Sequence, residues 1–473
     1  MNILFAAFEA DPFVKTGGLG DVAGSLPKAV ASSSYDIRVI LPLLSAIPDV
    51  YRKKMQFVCS YDVPLGWRNQ YCGLFTLKQN GVLYYFLDNE YYFHREQVYG
   101  EFDDGERVAF FSKAVLETIL HLDGFFPDIL HCNDWHTALV PVFLKEQYRD
   151  VPGFSDIKTI FTIHNLKFQG KYTDYVIGDI LGLQDTPAEH QLLSDPHTAN
   201  YLQAASIYCD EITTVSPTYA EEICLPYYGE GLDWIFRERC ENLVGILNGI
   251  DYKAWNPAND KNLPLNYDAD SLKTKEKNKL VLQKELGLKE DAEIPLFVII
   301  SRLTEQKGLD LVNYLLPEIE YRNMQLAVLG VGDAEYENAF RYYAEKDPKK
   351  FAACIRFDNG LSHRMYAGAD VMLVPSRFEP CGLTQMIAMR YGTLPLVRET
   401  GGLKDTVNET NGFSFVTFNA DDMLYSIDCA LDVYFNHPKR WRRMQHTAMA
   451  EDFSWKASAK EYRKLYNKLA KSF

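Results

Sequence analysis

Residues 294 to 308 read IPLFVIISRLTEQKG. The run Leu296 to Ile300 is apolar without interruption, rich in β-branched residues, and too short for a buried helix. It predicts a strand buried on both faces, as in a parallel sheet. Arg302 and Lys307 stand just past its carboxyl end, and helix-like sequence begins at Gly308. Ligands of open α/β sheets bind outside the carboxyl ends of the strands, so two cations there predict an anion site. The alternative is a solvated loop that happens to hold two positive charges.

The same alternation extends in both directions. Downstream, MQLAVLGVGD (324–333), FAACIRFD (351–358), DVMLVPS (370–376) and TLPLVRE (393–399) predict further strands, and helices dominate after residue 420. Upstream, NILFAAF (2–8), IRVILPLL (37–44), PDILHCND (127–134), KTIFTIHN (158–165) and DEITTVS (210–216) do the same, with helix-like stretches between them. Repeated strand–helix units predict parallel sheets with helices on both faces. One stretch differs. In YCGLFTLKQNGVLYYFL (71–87), Asn80-Gly81 splits two aromatic-rich runs and predicts a β-hairpin with a type I′ turn.

Between the halves lies NPANDKNLPLNYDADSLKTKEKNKL (256–280), polar and punctuated by Pro and Asn. It reads as a linker, or an exposed excursion, leading into a helix. Asp268 and Asp270 within it read as a solvated or turn-forming pair. We therefore expect two α/β domains facing each other across a cleft. They would span residues 1–247 and 248–455, with a helix over 456–473. TGGLGDV (16–22) recurs as TGGLKDTV (400–407), an echo that supports two related halves.

Composition limits the partners. Of 473 residues, 64 are acidic and 49 basic, a net charge of −15, so no nucleic acid and no anionic membrane surface is expected as a partner. No apolar stretch approaches the roughly 20 residues that cross a bilayer. Nine scattered cysteines without a C-x-x-C pair, and no leader-like N-terminus, predict a reduced, cytoplasmic protein.

Several stretches carry candidate chemistry. KTGGLGDVAGSLPKAV (15–30) follows the first strand but is neither a P-loop nor a dinucleotide fingerprint. In PSRFEPCGLTQ (375–385), Pro380 and Gly382 shape a turn ahead of a helix. The N–H groups of Gly382, Leu383 and Thr384 would form a phosphate cradle there. Glu379 at its mouth suits sugar hydroxyls or a developing positive charge, or else caps the helix. Cys381, with no adjacent His, packs or lines the site rather than attacking. In HCNDWHTAL (131–139), Asp134 accepts from a sugar hydroxyl or serves as an N-cap. The trio His131, Asp134 and His136 matches no standard zinc spacing, so no metal and no cofactor is expected. In TIHNLKFQG (162–170), His164 donates to a sugar oxygen or phosphate, or is a satisfied buried imidazole.

Together KTGGLGDV, HCNDWH, TIHNLKFQG, ILNGID (246–251), SRLTEQKG and PSRFEPCGLTQ resemble the bacterial glycogen synthases and plant starch synthases, in order and over nearly the whole chain. The resemblance implies a GT-B fold, two Rossmann-like domains whose C-terminal helix (ASAKEYRKLYNKLA, 457–470) crosses back onto the first. It implies transfer of glucose from ADP-glucose to the non-reducing end of an α-1,4-glucan such as glycogen, with retention. It makes Lys15 the donor-binding lysine, with Gly18 and Asp21 in the same loop. Arg302 and Lys307 would hold the diphosphate, and His164 and Glu379 would contact glucose. Asp134, Asn248, Cys381, Gly382, Leu383 and Thr384 fall on donor-site positions.

Retention can proceed through a carboxylate nucleophile or by same-face attack, and we favour the second. Two departures stand out. Related families place a second Glu eight residues after the first, where this chain has Ile387. A Tyr is expected where it has Phe357. Competing readings are UDP-glucose or a small-sugar acceptor on the same fold, or a non-catalytic glucan-binding relative.

Overall fold

The structure is a computed structural model and describes residues 1–471. The chain divides into two units: Met1–Leu247 joined by the C-terminal segment from Trp455, and Asn248–Ser454.

Unit 1 holds β1 (Asn2–Ala6), β2 (Asp36–Pro42), β3 (Gln56–Leu65), β4 (Arg68–Gln79), β5 (Val82–Asp88), β6 (Ile129–Asn133), β7 (Lys158–Ile163), β8 (Lys171–Thr173), β9 (Leu193–Asp195), β10 (Thr198–Asn200), β11 (Glu211–Thr214) and β12 (Leu243–Gly245). Its main sheet runs β12-β11-β7-β6-β1-β2-β5-β4-β3, and β8 to β10 form a small sheet of their own. Pairing is parallel from β12 to β5, with β4 and β3 added antiparallel at one edge. The β4–β5 turn has positive φ at both central residues, Asn80 (52°) and Gly81 (86°), which is the type I′ geometry predicted. β3 escapes sequence reading because as an edge strand it is largely exposed and carries little apolar alternation.

Unit 2 holds β13 (Leu296–Ile300), β14 (Gln325–Leu329), β15 (Phe351–Cys354), β16 (Val371–Val374), β17 (Leu394–Arg398) and β18 (Phe413–Phe415), ordered β15-β14-β13-β16-β17-β18 and parallel throughout. Counted along the chain this is the doubly wound order 3-2-1-4-5-6. Unit 1 has the same order, extended by a seventh strand, β12, once the β3–β4 hairpin is set aside. Each sheet therefore reverses direction at one place, between β1 and β6 in unit 1 and between β13 and β16 in unit 2. The segments that leave these strands carry most of the candidate residues, Lys15 to Asp21, Asp134, Arg302, Lys307 and Glu379 to Thr384, while His164 follows β7 and Asn248 follows β12.

The shared order revises the internal echo. TGGLGDV follows β1, the first strand of its sheet, whereas TGGLKDTV follows β17, the fifth. The true counterpart of the loop after β1 is SRLTEQKG after β13. The halves are related by topology, not by the repeated string.

The stretch 256–280 is ordered on unit 2 and is not a solvated linker. Asp260 is 6% exposed. It accepts from Tyr391 Oη at 2.5 Å and pairs with His363 Nδ1 at 2.6 Å. Tyr267 donates to the Tyr391 carbonyl at 2.7 Å, and Lys279 pairs with Asp370 at 2.7 Å. Pro and Asn punctuate an irregular backbone whose polar groups find buried partners, which composition alone does not reveal. Asp268 caps the short turn Ala269–Ser271.

Within unit 1, the helix Trp455–Ala470 lies against the helix Gly18–Val30. Arg463 donates to the carbonyls of Ala29 (2.8 Å) and Val30 (2.9 Å), satisfying groups that a helix end leaves without partners. No helix among the described residues is long and apolar enough to cross a membrane.

Candidate active site

In unit 1 the chain leaves β1 and reaches Glu9, 2% exposed. One oxygen of Glu9 accepts from Thr16 N–H and Thr16 Oγ1, both at 2.7 Å, and the other accepts from Gly20 N–H at 3.1 Å. Gly17 N–H also donates to it. Burial raises the Glu9 carboxyl above its ordinary range, opposed by these donors. The Asp11 N–H to Gly20 carbonyl bond, 2.9 Å, closes the loop a second time. Lys15, half exposed at the loop tip, pairs with Asp21 Oδ1 at 2.6 Å. Burial raises Asp21, and Lys15 holds it down.

The glycines of this loop differ in what they do. A Cβ on Gly17 or Gly18 would meet nothing within 4 Å, whereas one on Gly24 would lie 2.4 Å from the Asp11 carbonyl. Gly24 is needed for packing; Gly18 is not.

At the end of β6, Asp134 adopts φ of 56°. Its side chain is thereby turned away from the turn it precedes. Instead of capping Trp135–Thr137 it accepts from the His164 N–H at 2.8 Å and from the Asn165 N–H. Its expected N-cap role is thus replaced by a tie between the ends of β6 and β7. Burial pushes its carboxyl up to about 7.

His164 follows β7. Asn133 Nδ2 donates to the Ala6 carbonyl at 3.0 Å, so Asn133 Oδ1 faces His164 Nε2 at 2.9 Å, and Nε2 carries the proton. Burial pushes His164 down to about 3, so the ring is neutral and Nδ1 is an acceptor. Of the two sequence readings, a donor to the ligand or a satisfied buried imidazole, the Nε2 atom follows the second.

His131 and His136 do not join Asp134. His131 bonds Tyr466 Oη (2.8 Å) and Thr162 Oγ1 (2.7 Å), while His136 stacks on Phe8. Among the described residues no group of three His, Cys, Asp or Glu is arranged to hold a metal.

In unit 2, Arg302 leaves β13 exposed, and its guanidinium has no hydrogen bond or ion pair among the described residues. Lys307 is different. Its Nζ donates to Glu379 Oε2 at 2.6 Å, and Ser376 Oγ donates to the same oxygen at 2.8 Å. Glu379, 9% exposed, is therefore not a helix cap. Ile300, Ser301, Lys307, Ser376, Glu379 and Thr384 line a cavity of about 100 Å³ with their neighbours. Gly382 has φ of 72°, and the helix Thr384–Arg390 starts after it. Its first internal bond runs from Ile387 N–H to the Leu383 carbonyl at 2.9 Å, so the preceding N–H groups lack helical acceptors.

Asn248 donates its N–H to Cys381 Sγ, and its buried Oδ1 has no partner among the described residues. Burial pushes Cys381 up to about 12, so it is a thiol. Ile387 is buried in its helix, while Phe357 is 91% exposed beside the Arg356–Asp358 pair.

Sequence reasoning missed Glu9, Asn133 and Ser376. Only Glu9 left a signal: a lone carboxylate just past an apolar strand, followed by a Thr-Gly-Gly run rich in donors.

Residues 2–238 match the starch synthase catalytic domain, and residues 281–445 match the glycosyl transferases of group 1. A glycogen synthase of Clostridium novyi (strain NT) is 48% identical over 476 residues, 99% of each chain. One from Clostridium acetobutylicum is 49% identical over 473 residues, 98% of this chain and 99% of the relative. Among solved structures, the catalytic domain of starch synthase IV from Arabidopsis thaliana, bound to ADP and acarbose, superposes with a TM-score of 0.88. It is 32% identical and covers 99% of both chains. A sucrose-phosphate synthase of Thermosynechococcus elongatus shares the fold at a TM-score of 0.62 and 17% identity.

Proposed function

The chain belongs to the family of bacterial glycogen synthases and plant starch synthases, GT-B glycosyltransferases, and from that premise we propose that it transfers glucose from ADP-glucose to the non-reducing end of an α-1,4-glucan with retention of configuration. The observation that carries the donor reading is the unpaired Arg302 at the strand reversal of unit 2, beside a cavity that holds the Lys307–Glu379 pair. In a chain of net charge −15, an uncompensated guanidinium there suits a diphosphate.

The roles follow from each residue's partners. Arg302, Lys307 and the N–H groups of Gly382, Leu383 and Thr384 balance the negative charge that grows on the departing diphosphate. Phe357 offers an open ring face for the base, and Cys381 and Asn248 wall the turn. Lys15, Gly18 and Asp21 address the glucosyl phosphate, and Asp134 and His164 accept from glucose hydroxyls. Glu379 answers the positive charge that develops on the sugar. Both candidate carboxylates already hold internal donors: Lys307 and Ser376 on Glu379, backbone N–H groups on Asp134. Neither stands free as a nucleophile, which supports same-face attack over a glycosyl-enzyme intermediate. The nine cysteines are all unpaired, which supports a place in the reducing cytoplasm.

The test is glucan extension. Purified chain with a glycogen primer and ADP-glucose is expected to lengthen outer chains, with every new linkage α by its anomeric proton signal. New β linkages, or no extension on a competent primer, would overturn the proposal.

A further inference from the structure

A glycine-rich loop that follows the first strand and opens a helix ordinarily turns its N–H groups toward a phosphate. Here that place is already filled from within. The N–H groups of Thr16, Gly17 and Gly20 and the Thr16 hydroxyl all donate to the buried Glu9 carboxylate. A phosphate could not enter without displacing a like charge. What stays open is the outer side of the loop. Gly17 and Gly18 are exposed, a Cβ on either would meet nothing within 4 Å, and Lys15 stands beside them, oriented by Asp21.

We propose that Glu9 is a positioning residue for donor binding: its carboxylate occupies the anion place at the start of the helix Gly18–Val30 and so fixes Lys15 to Gly18 in the shape that meets the glucosyl phosphate. This rests on the donor reading above. Glu9 is buried, so it acts through the loop and does not touch the donor. It also explains why the glycine spacing fits neither a P-loop nor a dinucleotide fingerprint. Those spacings wrap N–H groups around a ligand phosphate; this one wraps them around a side chain.

The four partners are all donors, so the acceptor must present several lone pairs and no proton. The Glu9 carboxylate does so, with about four lone-pair sites on two oxygens. In the E9Q variant one edge of the amide turns N–H against N–H, so part of the set is lost at nearly unchanged volume.

The experiment uses the full chain and the variants E9Q, E9A and T16V. In E9Q the donor kcat/KM is expected to fall about 100-fold, as for a misplacement of order 1 Å near the reacting group. The KM for glycogen should stay within about twofold and the thermal midpoint near that of the native chain. T16V, which removes one of the four donors, is expected to lose about tenfold in the same direction. In E9A, added formate should refill the carboxylate place and recover at least about tenfold of the lost rate, an effect that a general weakening of the fold would not show.

Donor kcat/KM within about threefold of native in both E9Q and T16V would overturn the proposal, as would equal losses toward donor and glycogen with no formate effect. If E9Q does not fold, T16V and the formate response of E9A decide. Amide hydrogen exchange at residues 16–20 is read without substrate. Faster exchange in E9Q supports the loop's dependence on Glu9, and unchanged exchange overturns it. If the native chain does not use ADP-glucose, the donor reading fails separately.

Discussion

The two units share a strand order but solve the first strand end in opposite ways. After β1 the chain buries a carboxylate, Glu9, and spends its loop N–H groups on it. After β13 it leaves a guanidinium, Arg302, bare. The fourth strand ends contrast as well. Past β6, Asp134 is held by backbone N–H groups of the neighbouring loop; past β16, Glu379 is held by the side chains of Lys307 and Ser376. Unit 1 thus presents a preset loop with neutral or internally satisfied groups, suited to a polyhydroxylated sugar. At its strand ends unit 2 presents two cations, Arg302 and Lys307, to one carboxylate, Glu379, an arrangement suited to a diphosphate. Fold alone does not distinguish the two, since the sheets are alike; the side chains at the strand ends differ.

The sharpest way to break this contrast is Arg302→Ala. If unit 2 carries the diphosphate charge, kcat/KM for the donor should drop by about 10² to 10³ with circular dichroism unchanged. Near-normal turnover would remove Arg302 from the division of labour. Glu379→Gln comes next. It strips the charge that Lys307 and Ser376 hold, and kcat is expected to fall by about 10² with the glucan KM little changed. A loss confined to KM would make Glu379 a binding group only.

The repeated TGGL strings sharpen the comparison further. Gly18 and Gly402 occupy the same place in the two strings, yet a Cβ on Gly402 would lie 2.1 Å from the Cys381 carbonyl, while one on Gly18 meets nothing within 4 Å. Gly402→Ala should destabilise unit 2 by about 1–3 kcal/mol in denaturant unfolding. Gly18→Ala should leave stability unchanged and lower activity about tenfold by blocking close approach of the donor. Equal stability losses in both would mean that the first loop, too, is shaped only by packing.

A further effect, on stability and not on turnover, is a pH dependence. Asp134 is raised to about 7 in the fold from an ordinary value near 3.8, so the folded chain binds this proton more tightly than the unfolded chain does. The stability this contributes is complete below about pH 4 and is lost as pH rises through about 7. Asp134→Asn keeps Oδ1 for the His164 N–H and has no charge to bury. Its stability relative to the native chain should therefore rise from pH 4 to pH 8. A constant difference across that range would contradict the burial argument.

The central strands were legible because burial on both faces writes them as unbroken apolar runs, such as Leu296 to Ile300, and the cations and Glu379 were legible as polar residues just beyond those runs. What escaped depends on pairings distant in sequence. Lys307 and Glu379 are 72 residues apart, so nothing local shows that one neutralises the other while Arg302 stays bare. The tautomer of His164 is set by Asn133, 31 residues away, which satisfies Nε2 and leaves Nδ1 as an acceptor. The excursion 256–280 looked solvated because its buried partners, Tyr391 and His363, lie far along the chain. Glu9 lies within eleven residues of its partners and was still missed, because a carboxylate near a glycine-rich loop does not announce whether it faces inward.

We propose a donor whose diphosphate is held by unit 2 and whose glucose passes to a glucan. The most direct test compares ADP-glucose with UDP-glucose on the purified chain, with glycogen as acceptor, following nucleotide release. We predict ADP release coupled one-to-one to glucose incorporation, with kcat/KM at least about tenfold above that for UDP-glucose. No ADP release on a competent primer, or UDP release at equal efficiency, would contradict it.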